Sequence, residues 1–287
     1  MSSILELTNV RKAFDGFCLQ DISFASPKGF IMGFIGPNGA GKTTTIKLIL
    51  NMLSMDSGTI KVFGIDNTSG EQAIKEKIGV VMDQPFYVNE WTLLDVEKSM
   101  SPFYQKWNKE KYRKLLKDFS LDPKKKVKEL SRGMTLKLMI AVALSHEADL
   151  LILDEPTSGL DAVARNELME ILSDFISDEN KGVLFSTHIT ADLEKIADYI
   201  TFINDGKILY SGTKDDLMEY YCIVKGGLGI LNTEQKKRIL GYREHQVGFD
   251  GMLETSRLKT MPKSAVTEPI SLDEIVLRFN LEGKKHE

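Results

Sequence analysis

Apolar and polar positions along the 287 residues change period several times, and each change marks an element. ILELTNV from Ile4 and FCLQDISFAS from Phe17 alternate apolar with polar side chains, the period of antiparallel strands with one wet face. IMGFI (31–35) does not alternate and reads as a strand buried on both faces, followed by a helix over the β-branched, apolar run TTTIKLILNML from Thr43. SGTIKVFG (57–64) predicts an edge strand with a glycine turn at each end. Ile78 to Met82 predict a strand that stops at Asp83, Gln84 and Pro85, because proline cannot continue a ladder. From about 86 to 147 the period becomes helical in VEKSMSPFYQKW, KYRKLLKDFSL and LKLMIAVAL, among many lysines, so a helical insertion is expected. Four aliphatic residues from Leu150 mark a strand buried on both faces, and GVLFSTH, ending at His188, predicts a further strand. The sum is an α/β protein with a mixed, mainly parallel sheet, flanking helices and an antiparallel β subdomain. It divides into a core over 1–214 and a small C-terminal α/β appendage over 215–287, which ends in an amphipathic helix over SLDEIVLRFNL (271–281) suited to subunit contact.

Between the first buried strand and its helix stands GPNGAGKT, Gly36 to Thr43, the full G-x-x-x-x-G-K-T spacing in its strand–loop–helix context. Gly36, Gly39 and Gly41 lack a Cβ, so the loop can turn successive amides onto an anion at the positive end of the helix. Lys42 is placed to reach β- and γ-phosphates, and the Thr43 hydroxyl to ligate Mg²⁺. The expected fold is therefore a P-loop NTPase core. Asp154 and Glu155 follow four aliphatic residues, at the strand end where ligands bind in open α/β sheets. Asp154 suits a direct or water-mediated Mg²⁺ ligand, and Glu155 can orient or deprotonate an attacking water. His188 ends a further buried strand and converges on the same place.

Ser131 sits at the N-cap position of the helix in ELSRGMTLKLMIAVAL, with Gly133 beside it, which makes an anion site. A different part of the chain from the phosphate loop supplies it, so it makes most sense serving a nucleotide on another copy. Phe14 and Phe17 flank a turn, and each offers a ring either to a purine or to the hairpin's own packing, with Phe14 the better placed for a purine. KKKVK (124–128) reads as a solvated face, with a phosphate or lipid contact as the other use.

Charge and composition narrow the partners. Forty-one acidic and 37 basic residues give a net charge of −4 without a large block of either sign, so no nucleic acid is expected. Cys18 and Cys222 suit free thiols in a reducing cytosol. No apolar run approaches the roughly 20 residues of a membrane span, and the N-terminus lacks a signal-peptide layout. Work at a membrane would need another chain to hold the protein there.

The ordered set GPNGAGKT, LSRGM, LLILDEP, SGLD and STH resembles the ATP-binding cassette (ABC) family, specifically the nucleotide-binding subunit of an ABC transporter, over about Ile4 to Gly212. The resemblance implies an ATPase with ATP and Mg²⁺ as cofactors. It also implies a head-to-tail dimer, either a homodimer or a heterodimer of paralogues, with two ATPs sandwiched at its interface. Carried over, Gly36, Pro37, Asn38, Gly39, Ala40, Gly41, Lys42, Thr43 and Thr44 hold the phosphates and Mg²⁺. Ser131 and Gly133 cap the opposite γ-phosphate, Glu155 is the catalytic base, His188 the γ-phosphate switch, Asp161 part of the loop linking the two sites, and Phe14 the adenine-stacking ring. Three positions depart from the pattern. The signature usually reads LSGGQ, and here Arg132 replaces its first glycine and Met134 its glutamine. Asp83 stands where the family has a Mg²⁺-touching glutamine, with Gln84 one residue later, so both are metal candidates. LMEYYCIVKGGLG in the tail resembles the exporter branch for antimicrobial peptides, antibiotics or lipid-like substrates. The implied function is to power export through a separate membrane permease, from the cytoplasmic face of the membrane. On that view Phe86, Tyr87 and Trp91 either form the insertion's own small core or line a groove for a permease helix. The alternative function is a soluble ABC-type ATPase remodelling ribosomes or DNA, whose relatives carry paired cassettes or a long coiled-coil insertion.

Overall fold

The computed structural model describes residues 2–283. The chain begins with a hairpin, β1 (Ser3–Phe14) and β2 (Phe17–Pro27), closed by Asp15 and by Gly16 at φ +79°. Then come β3 (Ile31–Ile35), α1 (Lys42–Ile49), β4 (Ser57–Val62), β5 (Ile65–Asp66), α2 (Glu71–Lys75) and β6 (Ile78–Val81). The lysine-rich segment folds as α3 (Leu93–Met100), α4 (Lys109–Asp118) and α5 (Arg132–Ser145). The chain returns to the core with β7 (Leu150–Asp154), α6 (Ala162–Phe175), β8 (Gly182–Thr187), α7 (Thr190–Ile196), β9 (Tyr199–Asn204) and β10 (Lys207–Thr213). The tail forms α8 (Lys214–Tyr220), β11 (Tyr221–Gly226), α9 (Thr233–Lys237), β12 (Leu240–His245), β13 (Gly248–Glu254), β14 (Val266–Pro269) and α10 (Leu272–Gly283).

Six strands in the order β10-β9-β3-β8-β7-β6 make the central sheet. Every pairing in it is parallel except that of β10 with β9. β3, β7 and β8 are buried at every position, which their unbroken apolar runs require. An antiparallel sheet, β2-β1-β4-β5, covers one face through Leu5, Ile22 and Ile60, which pack with Ile46 of α1 and Phe34 of β3.

Three local expectations need correction. Ser57–Val62 is not an edge strand, because the chain turns back at Phe63-Gly64 and β5 pairs along it. The helix after β3 stops at Ile49: Asn51 adopts φ +52° and the Met52 amide donates to the Lys47 carbonyl at 2.8 Å, which closes the last turn. The helix through VEKSMSPFYQKW ends at Met100, where Pro102 has no amide to extend it and only a 3₁₀ turn, Ser101–Phe103, follows. The KKKVK face is solvated as expected, with Lys126 and Lys128 both paired to Glu90 at 3.1 and 2.8 Å.

α5 is apolar on all sides because it is packed on all sides. Leu136, Met139 and Ile140 join the main core with Leu151 and Phe185, whereas Leu138, Ala141 and Val142 join the insertion's core with Tyr112 and Leu116. The tail is built onto the same main core. Ile223, Met252, Ile270, Leu272 and Ile275 lie in it beside Ile31 and Phe185, and the Phe279 ring stands 5.2 Å from that of Phe202. α10 also grips α7, since Thr190 Oγ1 donates to Asp273 at 2.9 Å and the Leu272 amide to Glu194 at 2.8 Å. Buried Arg278 ties α10 to β12 and β13 through the Gly241 carbonyl (2.9 Å) and Asp250. Both cysteines are free, and among the described residues no helix is long and apolar enough to cross a membrane.

Candidate active site

The C-terminal ends of β3, β7 and β8 are level, because Ile35 pairs with Thr187 and Asp154 with Ser186. The next residue of each strand, Gly36, Glu155 and His188, therefore enters one shared space. Gly36 leaves no room for a side chain, since a Cβ there would stand 2.2 Å from the Ile203 carbonyl. Gly39 and Gly41 take φ of +81° and +110°, so the loop needs glycine at both. The Pro37 carbonyl accepts from the Ala40 amide at 3.2 Å, Ala40 is buried, and Asn38 faces outward. Gly41 caps α1 in a left-handed conformation, which leaves the first amides of the helix, those of Lys42, Thr43 and Thr44, without helical partners and open to an anion.

Lys42 is buried, and its ammonium donates to the Gly36 and Pro37 carbonyls at 2.8 and 3.2 Å while lying 3.2 Å from Glu155 Oε1. The second carboxylate oxygen of Glu155 accepts from His188 Nδ1 at 2.7 Å, from the His188 amide at 3.3 Å and from Thr187 Oγ1 at 3.4 Å. Glu155 itself adopts φ +50°, a strained conformation for a side-chain-bearing residue, held by its amide donating to the Ser186 carbonyl at 2.8 Å. The three catalytic candidates of the sequence, Lys42, Glu155 and His188, are thus in direct contact.

Asp154 accepts from Thr43 Oγ1 at 2.7 Å and from Ser186 Oγ at 2.9 Å. Burial pushes its carboxyl above the usual range, and the two hydroxyls pull it back. A hydroxyl and a carboxylate side by side are oxygen donors of the kind Mg²⁺ prefers. Among the described residues no group of three or more His, Cys, Asp or Glu could hold a metal unaided, so a cation here would share its shell with phosphate oxygens. Ser186 carries no site assignment from the sequence, where it is simply part of the strand GVLFSTH. Its signal was there in the register of two adjacent buried strands, which spacing within one segment does not reveal.

Other candidates lie around this centre. Phe14 is exposed at the hairpin tip with Lys12 Nζ 5.7 Å from its ring, while Phe17 packs inward against the phosphate-loop glycine Gly41. Phe17 is therefore part of the packing, and Phe14 is the exposed ring of the two. Ser131 caps α5, accepting from the Met134 amide at 3.3 Å, and Asp161 caps α6, accepting from the Ala164 amide at 2.8 Å. Among the described residues no hydrogen bond joins Ser131, Gly133 or Asp161 to Lys42, Thr43 or Glu155 of the same chain. Nor do Asp83 and Gln84 contact Thr43 or Asp154; Asp83 is ion-paired with Arg132 instead.

Beyond β6 the structure sorts the aromatic residues. Tyr87 and Trp91 pack into the insertion, whereas Phe86 and Phe103 are both 74% exposed. All four line one cavity of about 270 Å³, to which Tyr104 and His146 also contribute. The His146 ring stacks on Tyr104 at 3.9 Å, and burial pushes its pKa down to about 4, so His146 adds no charge to the lining at neutral pH.

Comparison with known proteins agrees with this geometry. The family model described as ABC transporter matches residues 19–158. The bacitracin transport ATP-binding protein BcrA of Bacillus licheniformis is 32% identical over 258 residues, covering 87% of this chain and 84% of that protein. The ABC transporter ATP-binding protein YtrB of Bacillus subtilis is 30% identical over 219 residues, covering 76% and 75%. A solved ATP-binding subunit of an ABC transporter superposes with a TM-score of 0.69 at 29% identity, over 75% of this chain and 92% of that one. ATP hydrolysis is the general activity of such domains. The chain is a member of the ABC transporter ATP-binding family, a P-loop ATPase.

Proposed function

We propose that this subunit hydrolyses Mg²⁺-bound ATP to power export through a separate membrane permease, working as a dimer whose two nucleotides lie at the subunit interface. The observation that carries the catalytic part is the Glu155 carboxylate held between Lys42 and His188. Lys42 and the α1 amides bind the β- and γ-phosphates. Thr43 and Asp154 are the residues that would hold Mg²⁺, which would supply charge neutralisation on the phosphate oxygens. Glu155 accepts a proton from the attacking water as the new bond to the γ-phosphorus forms and the bond to the ADP oxygen breaks. His188 holds Glu155 in place and faces the γ-phosphate.

The dimer is supported by Ser131 and Gly133, which no hydrogen bond among the described residues ties to the phosphate loop of their own chain. A Cβ on Gly133 would meet nothing of its own chain closer than 3.6 Å, so glycine there suits close approach by something outside the subunit. Export is supported by relatives named for bacitracin transport and Nod factor export. Attachment at the cytoplasmic face is supported by the aromatic cavity under Phe86 and Phe103, which suits the apolar face of a short permease helix. Co-purification from detergent-solubilised membranes tests the reading. A membrane protein should accompany the chain in stoichiometric amount, and its substrate should stimulate the ATPase. Recovery of the chain with ribosomes and without any membrane protein would favour the remodelling alternative.

A further inference from the structure

Two of the three positions at which this sequence departs from its family pattern touch each other. Arg132, in place of the signature's first glycine, is ion-paired with Asp83, in place of the glutamine after β6. Both side chains are about half exposed, and an exposed pair contributes little to folding, so stability does not explain the match. Local energetics oppose the arginine. It is the first residue of α5, where the helix dipole disfavours a cation, and the first turn contains no acidic residue to offset it. An anion must be supplied from elsewhere, and here Asp83 supplies it. The arginine stem also lies on Gly159, at φ +71°, where a Cβ would stand 3.1 Å from Arg132 Cδ. One side chain therefore touches the loop after β6, the N-terminus of α5 and the loop before Asp161.

We propose that Arg132 is a further phosphate-binding residue, exchanging Asp83 of its own subunit for the terminal phosphate of the ATP held by a second copy. This rests on the interfacial nucleotide site proposed above. Arg132 adjoins Ser131, so whatever anion the cap of α5 meets is also within reach of a planar guanidinium that binds phosphate in a bidentate manner. Its departure leaves the Asp83 carboxylate free to turn toward the nucleotide of its own subunit. The exchange links the two halves of the dimer: the partner's nucleotide decides whether Asp83 is available.

The test measures ATP-dependent dimerisation of the full chain by sedimentation, in a Glu155→Gln background with Mg²⁺ and with ADP as the control. Arg132→Ala, and Arg132→Gln as a polar guard against local disruption, should weaken the ATP-dependent dimer by about 10- to 100-fold, the loss expected for a hydrogen-bonded charge. Asp83→Ala should strengthen it when Arg132 is present and have much less effect when Arg132 is Ala, so the double-mutant cycle is coupled. A dimer that forms with ATP but ignores Arg132, or strictly additive effects of the two substitutions, overturns the proposal alone. Failure of the Arg132-containing chain to dimerise with ATP at all overturns the interfacial site, and the proposal with it.

Discussion

The Glu155 carboxylate lies 3.2 Å from the Lys42 ammonium, so the group read as general base and the group read as phosphate clamp are in contact before any chemistry begins. Their roles separate on substitution. Glu155→Gln should retain ATP binding and lose turnover by about 10²- to 10⁴-fold. Lys42→Ala should weaken ATP binding as well. Equal turnover in Glu155→Gln and the unaltered chain, measured by phosphate release, would remove the base assignment.

Asp154 sets function against stability. Its folded pKa is raised by burial, so its favourable contribution to folding is complete below the unfolded value of 3.8 and is lost as pH rises through the folded value. At pH 7 the buried charge is a cost, partly offset by Thr43 and Ser186. Asp154→Asn should therefore raise Tm at pH 7 by about 2–4 °C, the equivalent of roughly 1 kcal/mol at this size, with the gain shrinking near pH 4. Mg²⁺-dependent hydrolysis should fall at the same time. A lower Tm than the unaltered chain at pH 7 would contradict the account.

The exposed aromatics give a prediction about docking. Phe86→Ala and Phe103→Ala should leave Tm and basal ATPase nearly unchanged, because both rings are three-quarters exposed, while permease capture falls by about 10-fold or more per lost anchor. Tyr87→Ala and Trp91→Ala should instead lower Tm by several degrees, since both pack into the insertion. Wild-type capture by the Phe86→Ala/Phe103→Ala double variant would place the docking surface elsewhere.

Arg278 holds the tail together. It is 2% exposed and bonds Asp250, Glu274 and the Gly241 carbonyl. Burial pushes the Asp250 carboxyl up, but Arg278 and His245 outweigh it and hold it below its usual value. That contribution is present above the unfolded pKa of 3.8 and is lost as pH falls through the folded value. Arg278→Met should cost about 3 kcal/mol at pH 7, the lower end for breaking a buried pair, because Asp250 keeps some solvent. Chemical denaturation checks this, and a cost under about 1 kcal/mol would mean that the pair is solvated like a surface one.

Much of the site was legible because its chemistry is local in sequence. Eight consecutive residues from Gly36 specify the phosphate loop, and four aliphatic residues before Asp154 announce a buried strand with carboxylates at its ligand-binding end. Ser186 on Asp154 depends on strand register, and Arg132 on Asp83 joins residues 49 apart in the chain. The division of aromatics into packed Tyr87 and Trp91 and exposed Phe86 and Phe103 is equally tertiary, since all four lie in segments of similar composition. β4 looked like an edge because the two residues of β5 are too few to leave a period.

The placement of α10 has a consequence for biosynthesis. Ile270, Leu272 and Ile275 are at most 3% exposed within the cluster that contains Ile31 and Phe185, so α10 completes a core to which β3 and β8 also belong. A nascent chain can have its whole phosphate loop outside the ribosome and still present an open apolar face where α10 belongs. That face stays open until α10 has emerged and docked. A chain stalled before Ile270 therefore lacks part of the core that supports its own nucleotide-binding sheet.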